Sequence, residues 1–257
     1  MGQAVIFFRA SSPTIHRDQR GFTLVELSIV LAIIGLLVGG VLKGQEMIAG
    51  ARLKTTVAQA DSVRAAYNFF LDKYGALPGD YARCSTTISG CPAAADGDGN
   101  GVISTPAAWS DSNNFNRPDY GNNEGVKFWQ QLAAAQMLGS IAVESSLANP
   151  VAGKNTLKAN YSGAAWELWN ATGEFNGYYI ALTSSGPVPG PVVSGKDAYA
   201  IDAKYDDSTP GGGAIVTRSG GGCTATPPTF SNGVVANSGS YRTSDGGSSC
   251  TLLFALQ

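Results

Sequence analysis

The chain has 257 residues, a formal net charge of −2 and 14% charged residues, well below the roughly 25% of an ordinary soluble domain. So flat a balance excludes the basic stripe that nucleic-acid binding requires, and 44% hydrophobic content excludes a wholly disordered chain. The single histidine, His16, excludes a histidine-rich zinc centre; Gly-x-Ser-x-Gly, P-loop and dinucleotide patterns are absent, so no enzymatic role is expected.

The composition is uneven. Phe22 to Leu42 reads FTLVELSIVLAIIGLLVGGVL, in which Glu26 is the only charge. About 20 such residues at 1.5 Å each span the ~30 Å hydrocarbon core of a bilayer. A buried core helix is the rival, but Leu27–Leu42 runs 16 residues without a charge and is apolar on all faces, which favours a membrane span. A secretory signal peptide has a shorter apolar region, of about 7–15 residues. The basic stretch from His16 to Arg20 immediately precedes the run, so residues 1–21 are expected on the cytoplasmic side and the chain after Leu42 is expected to be exported.

A carboxylate at the head of a membrane helix is costly and marks a function. The block Gly21-Phe22-Thr23-Leu24-Val25-Glu26-Leu27, behind a basic leader and ahead of a long apolar helix, resembles the cleavage and methylation signal of type IV prepilins and type II secretion pseudopilins. The resemblance covers roughly residues 1–50. It implies that a prepilin peptidase cuts between Gly21 and Phe22, that Phe22 is then N-methylated, and that 1–21 is a leader. It further implies a homopolymer, built on an assembly platform in the inner membrane, in which Glu26 neutralises the new ammonium of a neighbouring subunit. In a low-dielectric bundle an unpaired charge is heavily penalised, so this pair would set axial register.

The helix is expected to run on to Tyr74, because no proline occurs between Pro13 and Pro78. Val57, Ala60, Val63, Tyr67, Phe70, Leu71 and Tyr74 form a stripe at helical spacing that suits packing on a globular head. A helix over 22–74 would be about 80 Å long. Gly35, Gly39, Gly40, Gly44 and Gly50 interrupt it, each at about 1 kcal/mol relative to Ala, although glycine also permits close helix approach. Many pilins carry a proline where this chain has Lys43, and Gly39-Gly40 is the expected weak point of the helix in a filament.

Gly75 to Asp80 ends the helix with Gly and then Pro, and residues 75–257 read as the head. A helix is expected at Lys127–Leu138, and strands at Ala164–Asn170, Gly177–Thr183, Ala214–Arg218 and Cys250–Leu256. Asp197–Lys204 fits a short helix or a strand. The plan is α+β, one long helix on an antiparallel sheet with long loops, as in pilin-like proteins.

Four cysteines allow three pairings; in an oxidising compartment the local one, Cys84–Cys91 with Cys223–Cys250, is expected. A zinc site from all four is the rival, but neither pair has the usual close spacing. The segment Asp96-Gly97-Asp98-Gly99-Asn100-Gly101-Val102-Ile103-Ser104 alternates oxygen donors and suggests calcium held by Asp96, Asp98, Asn100, the Val102 carbonyl and Ser104. The twelfth position of such a loop is Ala107 instead of Glu, so a further carboxylate would have to come from Asp111 or Glu124. The bland reading is a polar turn. Asp202, Asp206 and Asp207 form a second acidic group, and Trp109, Trp129, Trp166 and Trp169 are expected in the core rather than on an adhesive surface. The resulting expectation is a filament subunit of a type IV pilus-like system, inner-membrane as a precursor and at the cell surface once assembled. The rivals are a type II secretion pseudopilin, a minor pilin, and a membrane-anchored binding protein whose head acts alone.

Overall fold

The computed structural model describes residues 21–103, 115–116, 124–144, 151–171, 177–185, 190–219, 222–226, 229–231, 234–237, 239–244 and 247–256. Its contacts divide into two units at Ile48/Ala49, and one uninterrupted helix, α1 (Leu24–Tyr74), contributes to both. In the first unit the described side chains from Phe22 to Ile48 lie exposed apart from half-buried Gly44. The helix runs unbroken through Gly35, Gly39, Gly40, Gly44 and Gly50, and a Cβ at any of them would meet open space. Packing inside the subunit therefore gives no reason for these glycines.

The second unit holds the core. The later half of α1 buries Val57, Ala60, Val63, Tyr67 and Phe70 of the anticipated stripe, with Thr56 and Ala66 beside them, while Leu71 and Tyr74 are half-buried. The helix stops where Gly75 takes φ +64° and its N–H donates to Leu71 O at 2.8 Å, the left-handed cap that glycine adopts without strain. A short helix, α2 (Cys84–Thr87), and a 3-10 turn (Ala93–Ala95) follow. Next come strand β1 (Phe115–Asn116) and helix α3 (Glu124–Ala134). α3 begins earlier and ends earlier than the sequence suggested. The chain leaves it at Gln136, which takes φ +60°, yet Leu138 still turns back into the core.

The sheet is built from β1, β2 (Ala164–Ala171), β3 (Gly177–Ser184), β4 (Val193–Ser194), β5 (Ile215–Ser219) and β10 (Ser248–Ala255). Its order is β1-β2-β3-β10-β4, every pair is antiparallel, and β5 also pairs with β10. Helix α4 (Gly195–Tyr205) links β4 to β5. It resolves the Asp197–Lys204 ambiguity in favour of helix, because Ser194 Oγ accepts the Asp197 N–H at 3.1 Å and caps the first turn. Two small ladders complete the described strands: β6 (Thr224–Thr226) with β9 (Ser240–Tyr241), and β7 (Thr229–Ser231) with β8 (Val234–Asn237).

Alternation along the strands splits the sheet's two faces. Trp166, Leu168, Ile180, Leu182, Leu252 and Phe254 join Val63, Tyr67 and Phe70 of α1 in the main core. Trp169, Tyr179, Ala181, Val216 and Leu253 form a smaller cluster on the other face. Polar bonds fix α1 against the sheet: Trp166 Nε1 donates to Gln59 Oε1 at 3.1 Å, and Arg64 grips the Ala255 carbonyl through Nε and Nη2 at 3.0 and 2.8 Å.

Candidate assembly terminus and acidic loop

Gly21 and Phe22 precede α1 in exposed, non-helical chain, with Phe22 81% exposed and nothing crowding Gly21. A backbone this open suits a protease that must reach it closely. Thr23 and Glu26 then close a reciprocal cap. The Glu26 N–H donates to Thr23 Oγ1 at 3.2 Å, and Glu26 Oε2 accepts both the Thr23 N–H and the Thr23 hydroxyl at 2.8 Å. Beyond the cap, Leu27, Val30, Ile33, Ile34 and Leu37 are about half exposed or more. Among the described residues α1 is the one helix long and apolar enough to cross a membrane.

The Asp/Gly/Asn loop differs from the wrapped set expected of it. Asp96 turns away: its carboxylate accepts the Ser85 N–H at 2.7 Å and the Ser85 hydroxyl at 2.6 Å, which holds the first turn of α2. Asn100 is taken up in local turns, its Oδ1 accepting the Val102 N–H and its Nδ2 donating to Asp98 Oδ2. Ser104, Ala107 and Asp111 lie outside the described residues. The carboxylates that do converge are Asp80, Asp98 and Glu124, with one oxygen from each within 4.8 Å of the others. Glu124, considered in the sequence as an outside ligand, is therefore present; Asp80 was read only as part of the helix terminator.

Three long-range contacts assemble this group. Asp80 accepts the Asn100 and Gly101 N–H groups at 3.0 and 2.9 Å, and Asp98 N–H donates to Glu124 Oε1 at 3.2 Å. Gln131 of α3 clasps the loop, accepting from Gly79 N–H and donating to the carbonyls of Tyr81 and Ala95. Gly79 takes φ +96°, and a Cβ there would run into the Glu124 carbonyl, so only glycine lets Asp80 sit this close to α3. Burial pushes the Asp80 carboxyl above its ordinary range and the Asp98 side chain adds to this, while the N–H groups of Gly101, Asn100 and Gly99 oppose it. Asp80 and Glu124 are nearly fully buried and Asp98 is exposed, so two of the three carboxylates lie out of water.

A second acidic group sits at the end of α4. Fully buried Asp202 accepts the Tyr241 hydroxyl at 2.6 Å and the Ser208 N–H at 3.0 Å, and Thr217 Oγ1 meets the Tyr241 oxygen at 2.6 Å. Burial raises the Asp202 carboxyl to about 6, against the two hydrogen bonds, with Asp207 and Asp206 adding to the rise. Asp206 and Asp207 hold the following loop through Ile215 N–H and through Thr209. The disulfides are the local pairs: Cys84–Cys91 ties α2 to the segment before the 3-10 turn, and Cys223–Cys250 ties β10 to the start of β6. Trp129, Trp166 and Trp169 are buried, which removes them from any adhesive surface; Trp109 lies outside the described residues.

Residues 16–42 match the family model described as the prokaryotic N-terminal methylation motif. The chain thus carries the N-terminal signal of type IV pilins and pseudopilins, a signal that ends inside the first half of α1 and leaves the head outside the match. Signal and apolar helix together fit an inner-membrane precursor, and the fold is α+β and pilin-like. No curated protein and no solved structure matches the chain.

Proposed function

We propose that the protein is a structural subunit of a type IV pilus-like filament, cleaved after Gly21, N-methylated at Phe22 and polymerised through the first half of α1. The observation that carries this reading is the apolar surface from Leu27 to Leu42, which is exposed along its whole length among the described residues. A lipid bilayer covers such a surface before assembly; copies of the same helix cover it afterwards. Glu26 would then meet the Phe22 ammonium of a neighbour, and the penalty on either charge alone selects the register that pairs them. Gly39-Gly40 is the place where the helix would open in the filament. The role is structural, with the prepilin peptidase and an inner-membrane assembly platform as partners and the cell surface as destination.

Replacing Glu26 with Ala tests the reading. The filament subunit predicts normal membrane insertion with at least a tenfold loss of sheared surface filaments. A membrane-anchored binding protein predicts that no filament forms from either version and that the head's activity survives. A short periplasmic polymer with no surface filaments would move the protein to the secretion pseudopilins.

We further propose that Asp80, Asp98 and Glu124 hold a calcium ion. The oxygen-only donor set, two of whose three carboxylates are taken out of water, supports this reading, because a divalent cation lowers the repulsion between converging carboxylates. The test is the melting of the full-length protein in detergent. Calcium at 100 times its Kd would add about 2.7 kcal/mol, and a chelator would remove that gain. Asp98→Asn should abolish the response, and melting indifferent to calcium and chelator would overturn the assignment.

A further inference from the structure

We infer that Asn100 is a self-deamidation site: the folded loop sets the Gly101 nitrogen to attack the Asn100 side-chain amide, so the chain acquires an aspartate or isoaspartate at position 100. The inference goes beyond the filament and calcium readings and depends on neither.

A glycine after an asparagine lets the next backbone nitrogen approach the asparagine side chain, because no Cβ stands in the way. The sequence has three such steps, Asn100-Gly101, Asn176-Gly177 and Asn232-Gly233. At the first of them each reacting group has a partner suited to the reaction. The Gly101 N–H, the nucleophile, donates to Asp80 Oδ2 at 2.9 Å, a carboxylate placed to take its proton. Asn100 Oδ1, where negative charge develops, accepts the Val102 N–H at 2.8 Å, the position of an oxyanion donor. Asn100 Nδ2, the leaving group, donates to Asp98 Oδ2 at 2.9 Å. The last two contacts fix which way round the amide lies, since a backbone N–H bonds only to Oδ1 and a carboxylate only to Nδ2. The Asn100 N–H is itself held, reaching Asp80 Oδ1 and Asp98 Oδ1 at 3.0 Å.

Neighbouring steps in the same loop lack this arrangement. The Gly97 and Gly99 N–H groups donate to the backbone carbonyls of Tyr81 and Asp80, at 3.0 and 2.9 Å, and a carbonyl is a far weaker proton acceptor than a carboxylate. Asn100 and Gly101 are exposed, so water reaches the step.

The chemistry needs only water. A bond forms between the Gly101 nitrogen and Asn100 Cγ, the Cγ–Nδ2 bond breaks, and the Gly101 proton travels by way of Asp80 onto the departing ammonia. Water then opens the cyclic imide, at Cγ to give aspartate or at the backbone carbonyl to give isoaspartate. Either product adds one negative charge beside Asp80, Asp98 and Glu124. Loss of ammonia makes the change one-way, so the converted fraction rises with the age of the subunit.

The experiment incubates the freshly purified full-length protein in detergent and heavy-oxygen water, with a chelator present so that no cation occupies the carboxylates. Peptide mass spectrometry follows heavy-oxygen uptake at positions 100, 176 and 232, in the native protein and in urea. The expected result is conversion at 100 at least about tenfold faster in the native protein than in urea, a modest share of what positioned acid–base groups supply. In urea the three steps should react at similar rates. Asp80→Asn should remove the native acceleration at 100 and leave the rate in urea unchanged. A native rate at 100 no faster than the rate in urea would overturn the inference. So would an undiminished native rate in Asp80→Asn, with tryptophan fluorescence showing that the variant is folded. Should Asp80→Asn fail to fold, the wild-type comparison of native protein with urea decides alone.

Discussion

The two halves of α1 share one continuous backbone and have opposite surroundings. From Thr56 to Phe70 the helix buries seven side chains among the strands of its own head; from Leu24 to Ile48 it buries none. The head half is polar on average and satisfied within the subunit, whereas the first half is almost wholly apolar and unsatisfied. A soluble protein would not keep so many exposed Leu, Ile and Val residues on one element, because burial of each is worth about 1.5–3 kcal/mol. The difference teaches that the second half of α1 specifies the subunit's fold, while the first half specifies what the subunit does with a membrane and with its copies.

That contrast breaks most visibly under large-to-small substitution. Phe70→Ala removes a fully buried ring packed on Tyr74 and Tyr81 and should destabilise the head by about 3–5 kcal/mol. Leu37→Ala, at an exposed position in the first half, should leave head stability unchanged. Urea denaturation of both variants in detergent, followed by tryptophan fluorescence, measures the two directly. Equal destabilisation by both would show that the halves of the helix are not independent.

A smaller effect sharpens the comparison by titrating the head alone. Asp202 binds its proton more tightly folded than unfolded, since its carboxyl is raised to about 6 from an ordinary value of 3.8. Its stabilising contribution is therefore complete below the unfolded value and is lost as pH rises through about 6. Asp80, also raised, acts in the same direction. Melting temperature should increase on moving from pH 7 to pH 5. Asp202→Asn, which keeps an acceptor for Tyr241, should flatten much of that slope; an unchanged slope would assign the pH dependence to other groups.

Much of this division was legible in the sequence. The 21-residue apolar run, its single acid and the basic flank need no tertiary information. Nor does the end of α1, where Gly75 and Pro78 punctuate the chain. The strands β2, β3, β5 and β10 came within two residues of their observed limits, because β-branched and aromatic residues cluster there.

What escaped depends on distant partners. β1, β4 and β9 are two residues long and exist only because neighbouring strands pair with them. α3 was placed three residues late, since Glu124, Gly125 and Val126 carry no helical periodicity of their own and are held by burial. Ser194 and Asp197 form the capping pair that starts α4, a local signal present in the sequence. The acidic loop was half legible: Asp98 follows from the motif spacing and Glu124 is one of the two outside carboxylates considered, but Asp96 is diverted by Ser85. Asp80 joins only because Gln131 and Gly79 bring the helix terminator against α3.

The measurement that bears most directly on the central claim is mass spectrometry of the N-terminus of this protein recovered from sheared filaments in its host. The account predicts a chain that begins at Phe22, carries one methyl group on its amine and is present as a polymer. A chain that still begins at Met1, or one recovered only as membrane-bound monomers, would contradict it.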